Sequence, residues 1–370
     1  MTRPSRLCLV GAAVLAVSPV SAETSGEVPW AVASDLAVEQ RPISVENKGA
    51  RLAGTLYLPA GTKPRAAVIA LHGAQAPLRT EPLYRHLVQI LPRLGIALYL
   101  FDRRGSGGST SGGAAPGNFD LLADDAVAAF ARLRREPGID PDRIGFWGLS
   151  QGGWLTLLAA RQEPRAAFAV AVSAPMAAAD VQMNFAVGNI LRIRGHPQSV
   201  IDRAVRARTA VDDYARGRLS RVDAERAQAD VRGEPWYDQL FLEGNLDDPE
   251  WRRQITLDPF AALKGSRVPT LILFGQADPW VPVAPSLAAL KAHGTEFPQV
   301  SVQVIDGADH SMMLGVPPLQ QVDTAYASRA APDAPAYFAV LGAWLQAVAP
   351  RSSPVRRRSP PPPRAPHSPG

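Results

Sequence analysis

Ser150 lies in the pentapeptide Gly148-Leu149-Ser150-Gln151-Gly152, where a short apolar stretch (143–147) gives way to a helix-like run (151–162). Glycine on both sides of one residue signals a backbone bend too tight for side chains. A serine held in such a bend is either a helix cap or a nucleophile. G-x-S-x-G occurs once in the chain, with a strand pattern before it and a helix pattern after it. In that context a sharp turn lifts the serine oxygen above a sheet edge. A serine hydroxyl is a poor nucleophile at neutral pH, so the chemistry needs a base to take its proton and a carboxylate to orient that base.

Six histidines compete for the role of base. His367 is in the C-terminal tail, His196 in a helical insert, His86 and His293 within helical patterns, and His72 at a strand end. His310, in VIDGADHSMM, follows the last strand-like run, where the order Ser, Asp, His along the chain requires it. Asp278, in LILFGQADPWVP, lies four residues beyond a strand ending at Phe274 and satisfies the same order; Asp180 is the second candidate. Asp309, next to His310 in sequence, would have difficulty turning back onto that ring, and Asp306 reads as a loop-shaping residue. Two backbone N–H groups should face a developing oxyanion. One belongs to Gln151, directly after the serine, and the other to Ala74 in LHGAQAP, where Gly73 lets the loop lie close.

These residues need a scaffold that brings strand ends together. ISVENKGARLAGTLYLP (43–59) reads as two strands around a polar turn at Asn47–Gly49. The runs 66–73, 96–102, 143–148, 166–174, 268–275 and 300–306 are short and apolar, as buried parallel strands are. Helical spacing at 82–94, 119–135, 151–162, 284–293 and 333–348 fills the gaps. The alternation implies an α/β fold, a mostly parallel central sheet with helices on both faces. The loop 102–113 has no Walker lysine and lacks G-x-G-x-x-G spacing, so it is not a phosphate site; Asp102 and Arg104 are expected to pair there as a loop anchor.

From 177 to 262 no strand pattern appears. Ile201, Ala204, Ala207, Val211 and Tyr214 share one helical face, and Ser220 with Asp223 has the spacing of a helix start. An insert of this size between two strands is expected to form a helical cap over their carboxyl ends. Its large residues, among them Phe185, Trp236 and Phe241, are candidates for the wall of a substrate pocket, with the arginines left in water.

Composition sets the surroundings. Of 370 residues, 46% are hydrophobic and 20% charged, enough for a large core. Arg3 and Arg6 precede an apolar run from Leu7 to Val17 and a Val20-x-Ala22 ending, the pattern of a secretory signal over 1–22 and too short for a transmembrane span. That implies an exported protein, periplasmic or secreted, whose mature chain has no cysteine, since the only one is Cys8. The last 20 residues carry five arginines, seven prolines and no acid, and are expected to form a disordered tail over 350–370. Without the leader and tail the formal charge of +5 disappears, and nothing in the body points to nucleic acid.

LHGAQAP, FDRRGSGGSTSG, GLSQGG, FGQADPWVP and GADHSMM follow one another in an order that resembles the α/β-hydrolase superfamily, over roughly residues 40–349. The chain looks closest to bacterial esterases and to dienelactone-hydrolase-like or prolyl-oligopeptidase-like members. The resemblance implies acyl transfer to water by Ser150, His310 and Asp278, without metal or organic cofactor, within a catalytic domain over 23–349. It implies a small acyl ester as substrate, with a serine peptidase or aminopeptidase, or a thioesterase, as the alternative. A non-catalytic binding module on the same fold stands further off, because serine, acid and histidine candidates are all present.

Overall fold

The computed structural model describes residues 36–349, apart from 62, 75, 114–116, 243–245 and 324–331. The leader read at 1–22 and the tail at 350–370 lie outside the described residues. Lys48 and Gly49 both take positive φ, 44° and 77°, the two-residue turn whose twist suits a hairpin. They join β1 (Val38–Asn47) to β2 (Ala50–Pro59), with Asn47 paired to Ala50. The sheet continues through β3 (Arg65–Leu71), β4 (Ala97–Phe101), β5 (Ile139–Leu149), β6 (Ala169–Val172), β7 (Thr270–Gly275) and β8 (Val300–Ile305). Strand order is β1-β2-β4-β3-β5-β6-β7-β8; β2 meets β4 antiparallel, and every pairing from β4 to β8 is parallel.

Helices cover both faces of the sheet. Between β3 and β4 lies α1 (Arg85–Ile90), flanked by 3-10 turns; Pro92, which lacks an N–H, opens the second of them and ends the helical run expected over 82–94. Next come α2 (Phe119–Leu133), between β4 and β5, and α3 (Gln151–Gln162), between β5 and β6. Successive residues on a strand point to opposite faces. On β5, Phe146 packs against Phe130 of α2, while the neighbouring Trp147 turns to the other side and meets His86 of α1.

Between β6 and β7 the chain makes α4 (Ala179–Ile193), α5 (Gln198–Ala215), α6 (Arg221–Ala229), α7 (Pro249–Gln254) and α8 (Pro259–Leu263). Ile201, Ala204, Ala207 and Val211 form the buried stripe of α5, and Ser220 caps α6 by accepting from the Asp223 N–H. Arg208 is buried, contrary to the expectation that the insert's arginines stay in water. Its guanidinium pairs with Asp212 one turn on and donates to the carbonyls of Leu240 and Phe241, which satisfies a charge that burial would otherwise penalise. After the insert come α9 (Val283–His293), the short α10 (Pro318–Gln321) and α11 (Pro335–Val348), whose Tyr337 hydroxyl accepts from Trp147 Nε1.

The loop after β4 is anchored differently from the expected Asp102–Arg104 pair. A turn, closed by Ser106 N–H to the Arg103 carbonyl, aims the two side chains apart. Asp102 accepts from the backbone of Arg79 and Gly108 and pairs with the Arg79 guanidinium. Arg104 instead meets Asp125 of α2 through two hydrogen bonds, 3.0 and 2.5 Å, with both side chains fully buried. Asn47 at the hairpin turn adds a bond to the same carboxylate at 2.7 Å, so this ion pair ties hairpin, loop and helix together. Replacing one member of a buried pair leaves the other charge uncompensated. Arg104→Met should therefore lower unfolding free energy by about 3 kcal/mol or more, read as a lower urea midpoint.

Candidate active site

Strand register sets the carboxyl ends side by side. Leu71 pairs with Gly148, Leu149 with Val172, and Gly275 with Ile305. The loops carrying Ala74, Ser150, Asp278 and His310 therefore all leave one edge of the sheet. Between β3 and β5 the strand order reverses, the place where open α/β sheets form a crevice.

Ser150 has φ 59° and ψ −122°, a conformation rare for any residue with a side chain. Its N–H donates to the Val172 carbonyl at 2.8 Å. Both neighbouring glycines are required by close approach. A Cβ on Gly148 would lie 2.0 Å from the Gly152 carbonyl oxygen, and one on Gly152 would lie 2.6 Å from the Leu71 oxygen. Gln151 opens α3, so its N–H has no acceptor within the helix and faces outward from the helix start. Ala74 is exposed in the loop after β3.

His310 and Asp278 are brought together. His310 Nδ1 lies 2.7 Å from Asp278 Oδ2, and Asp278 Oδ1 accepts from the N–H groups of Trp280 and Val281 at 2.8 and 3.1 Å. The carboxylate is fully buried and the ring one-fifth exposed. Asp309 is turned into its own loop, accepting from Ser311 and Met313 N–H, each at 2.8 Å. Asp180 belongs to the insert, where Arg216 holds it at 2.7 Å. Among the described residues Ser150 Oγ makes no hydrogen bond, so the serine and the histidine share the sheet edge without a direct bond; such contacts often close only with substrate.

Comparison with known proteins bears on the family and the fold. Residues 62–238 match the model of a family described as serine aminopeptidase, S33. The fold aligns with an esterase of Pyrococcus furiosus at a TM-score of 0.51 and 16% identity, covering 76% of this chain and 88% of that one. It aligns equally with an α/β hydrolase from Penicillium, at 0.51 and 15%, covering 84% and 99%. The chain has the α/β-hydrolase fold. It is also 32% identical to a thiohydrolase of Aspergillus aculeatus over 124 residues, 34% of this chain and 38% of that protein. The matched stretches span less than half the length of the curated relatives.

The three pocket candidates fall in different places. Trp236 is buried in the insert's own core with Val187, Leu191 and Ile201. Phe185 lines a surface groove of about 460 Å³ between α4 and α5, with Ile201 and Val205, away from Ser150 and His310. Phe241 alone reaches the acid loop, its ring 5.9 Å from that of Trp280. Trp236 and Phe185 are thus packing and groove residues: the apolar face of α5 must be covered, and they cover it. Among the described residues no cluster of His, Cys, Asp and Glu is placed to hold a metal, and no helix is long and apolar enough to cross a membrane.

Sequence reasoning passed over three residues near this edge. Asn189 and Gln182, both on α4, donate to the carbonyls of Pro279 and Trp280 at 2.9 and 3.0 Å, fastening the insert to the segment that follows Asp278. Arg103, buried beside the serine, donates through Nη2 to the carbonyls of His72 (3.2 Å) and Gly73 (2.8 Å) and to Gln151 Oε1 (2.8 Å). Its only sequence signal is its place directly after a buried strand, next to an arginine that does have a carboxylate.

Charge differs sharply between the two histidines here. His72 is fully buried, and burial pulls its pKa down to about 3, so it is neutral. For His310, partial burial also disfavours the charged ring, but the Asp278 carboxylate, with help from Asp309, outweighs it and raises the pKa above 6.5. Removing the Asp278 carboxylate leaves burial opposed by Asp309 alone. An NMR titration of His310 should thus give a pKa above 6.5 in the native chain and a lower one in Asp278→Asn.

Proposed function

We propose that this protein is a serine hydrolase that cleaves carboxylic esters through an acyl-enzyme, with Ser150 as nucleophile, His310 as base and Asp278 as its orienting acid. The observation that carries the reading is the 2.7 Å His310–Asp278 pair on the same sheet edge as the strained Ser150 turn. In this reading His310 takes the Ser150 proton as Oγ attacks the ester carbon. The N–H groups of Gln151 and Ala74 hold the oxyanion, and the alcohol leaves with the proton that His310 returns. Water then repeats the sequence on the acyl-enzyme and releases the acid. The proposal extends to an exported location through the leader at 1–22, with the catalytic domain at 23–349 and the insert at 177–262 as its cap.

A second reading, cleavage of a thioester or an amino-terminal peptide bond, has support from the thiohydrolase relative and from the serine aminopeptidase description of residues 62–238. A panel of p-nitrophenyl esters, acyl thioesters and aminoacyl anilides decides among these. Esters should give the highest kcat/KM, and a preference for anilides or thioesters would move the assignment to that class.

Three further outcomes follow from the assigned roles. Ser150→Ala should lose on the order of 10⁶ in kcat and all labelling by a fluorophosphonate, with its melting temperature unchanged; a variant that kept appreciable turnover would remove Ser150 as nucleophile. The base must be neutral, so kcat/KM should fall as pH drops through the raised pKa of His310, and the acid limb should move to lower pH in the residual activity of Asp278→Asn. Trp236→Ala should cost about 3–5 kcal/mol of stability and leave the preference among C2 to C8 esters unchanged, whereas Phe241→Ala should shift that preference.

A further inference from the structure

Arg103 has no carboxylate partner among the described residues, although it is 9% exposed. Its Nε is buried without a hydrogen bond, and all three of its bonds leave from Nη2. Burial lowers its pKa, with only the Tyr84 hydroxyl acting the other way. A cation kept in such surroundings without a counter-charge is costly for folding alone. Its neighbour Arg104 shows what a purely structural arginine has here: a buried aspartate in bidentate contact.

The acceptors of Arg103 explain the arrangement. The Gly73 carbonyl and the Ala74 N–H belong to one planar peptide unit and point in opposite directions. A guanidinium that grips the Gly73 oxygen therefore fixes where the Ala74 N–H aims. The same nitrogen holds the side chain of Gln151, the residue whose backbone N–H is the other assigned oxyanion donor. One cation thus spans both walls of that hole from behind.

We propose that Arg103 is the positioning residue of the oxyanion hole, setting the Ala74 and Gln151 N–H groups and adding an uncompensated positive charge that the tetrahedral oxyanion meets. The proposal rests on Ser150 acting as nucleophile. It binds no substrate atom directly, so it acts on the transition state and leaves ground-state binding nearly alone.

The test compares Arg103→Met and Arg103→Lys with the native chain on a p-nitrophenyl ester, together with inhibition by an aryl trifluoromethyl ketone, which forms a charged tetrahedral adduct on a serine. Arg103→Met should lose about 10²-fold in kcat and a similar factor in inhibitor affinity, with KM nearly unchanged. Arg103→Lys should recover most of both, because one ammonium nitrogen carries three N–H donors and can replace Nη2. A folded Arg103→Met with native kcat and native inhibitor affinity would overturn the proposal, as would equal losses in the Met and Lys variants. Should Arg103→Met fail to fold, Gln151→Ala, which removes one acceptor and keeps the backbone donor, is expected to lose about tenfold in both measures; native values there would also overturn it. Ser150→Ala measured alongside separates the two levels: an active Ser150→Ala removes the underlying reading, whereas an inactive one with indifferent Arg103 variants removes only the role given to Arg103.

Discussion

The positive φ of Ser150 is the constraint on which the site depends. It is held by tight packing on both sides. Gly148 and Gly152 touch across the turn with no room for a Cβ, and Gly152 also lies against the carbonyl that ends β3. The Ser150 N–H is bonded to the end of β6. Three neighbouring strand ends therefore fix one strained residue. The energy stored in that conformation is offset by the burial of the β3–β7 core, whose residues are almost all shielded from water. A serine there stands clear of the sheet because the backbone has no other way to pass.

Around this point the polar groups divide into two kinds. Arg104–Asp125 and Arg208–Asp212 are closed pairs, each with its remaining donors on backbone carbonyls, and they lock segments distant in sequence. Near the serine the bookkeeping is left open. His310 has Asp278 on one nitrogen only, and Arg103 has carbonyls and an amide but no anion. The closed pairs build the frame, and the open ones face the place where charge is to develop. This contrast distinguishes structural from chemical use of the same residue types within one loop, Arg103 and Arg104 being adjacent.

Much of this was legible in the sequence, and for identifiable reasons. Parallel strands here are short apolar runs, so the six from β3 to β8 could be placed to within a few residues, and the polar turn at Asn47–Gly49 located the β1–β2 hairpin. The elbow motif, with its strand and helix, singled out Ser150. Asp278 and His310 were reachable because each follows a strand by a short loop, and the structure does set them in contact. Where the reading failed, side-chain direction decided the matter, and a linear pattern does not encode it. Asp102 and Arg104 are two residues apart but aimed apart by a turn. Trp236 looks like Phe241 in composition, yet one covers α5 and the other reaches Trp280. Arg208 was misplaced in water although Asp212 stands four residues on, the spacing of a helical ion pair. Arg103 left almost no trace, since its partners are two backbone carbonyls about thirty positions earlier and the Gln151 side chain 48 positions later.

The bonds from α4 to the acid loop make the insert a mechanical part of that loop. Asn189 and Gln182 grip two consecutive carbonyls, those of Pro279 and Trp280, and the N–H of Trp280 in turn supports the Asp278 carboxylate. In the divergence of this fold, then, the insert is not a module to be swapped at its two ends. A foreign insert grafted between β6 and β7 would arrive without the amides that hold the segment after Asp278. The heritable unit is the insert together with 278–281, and a recombination boundary that respects the site lies beyond Val281, inside the chain of the following helix.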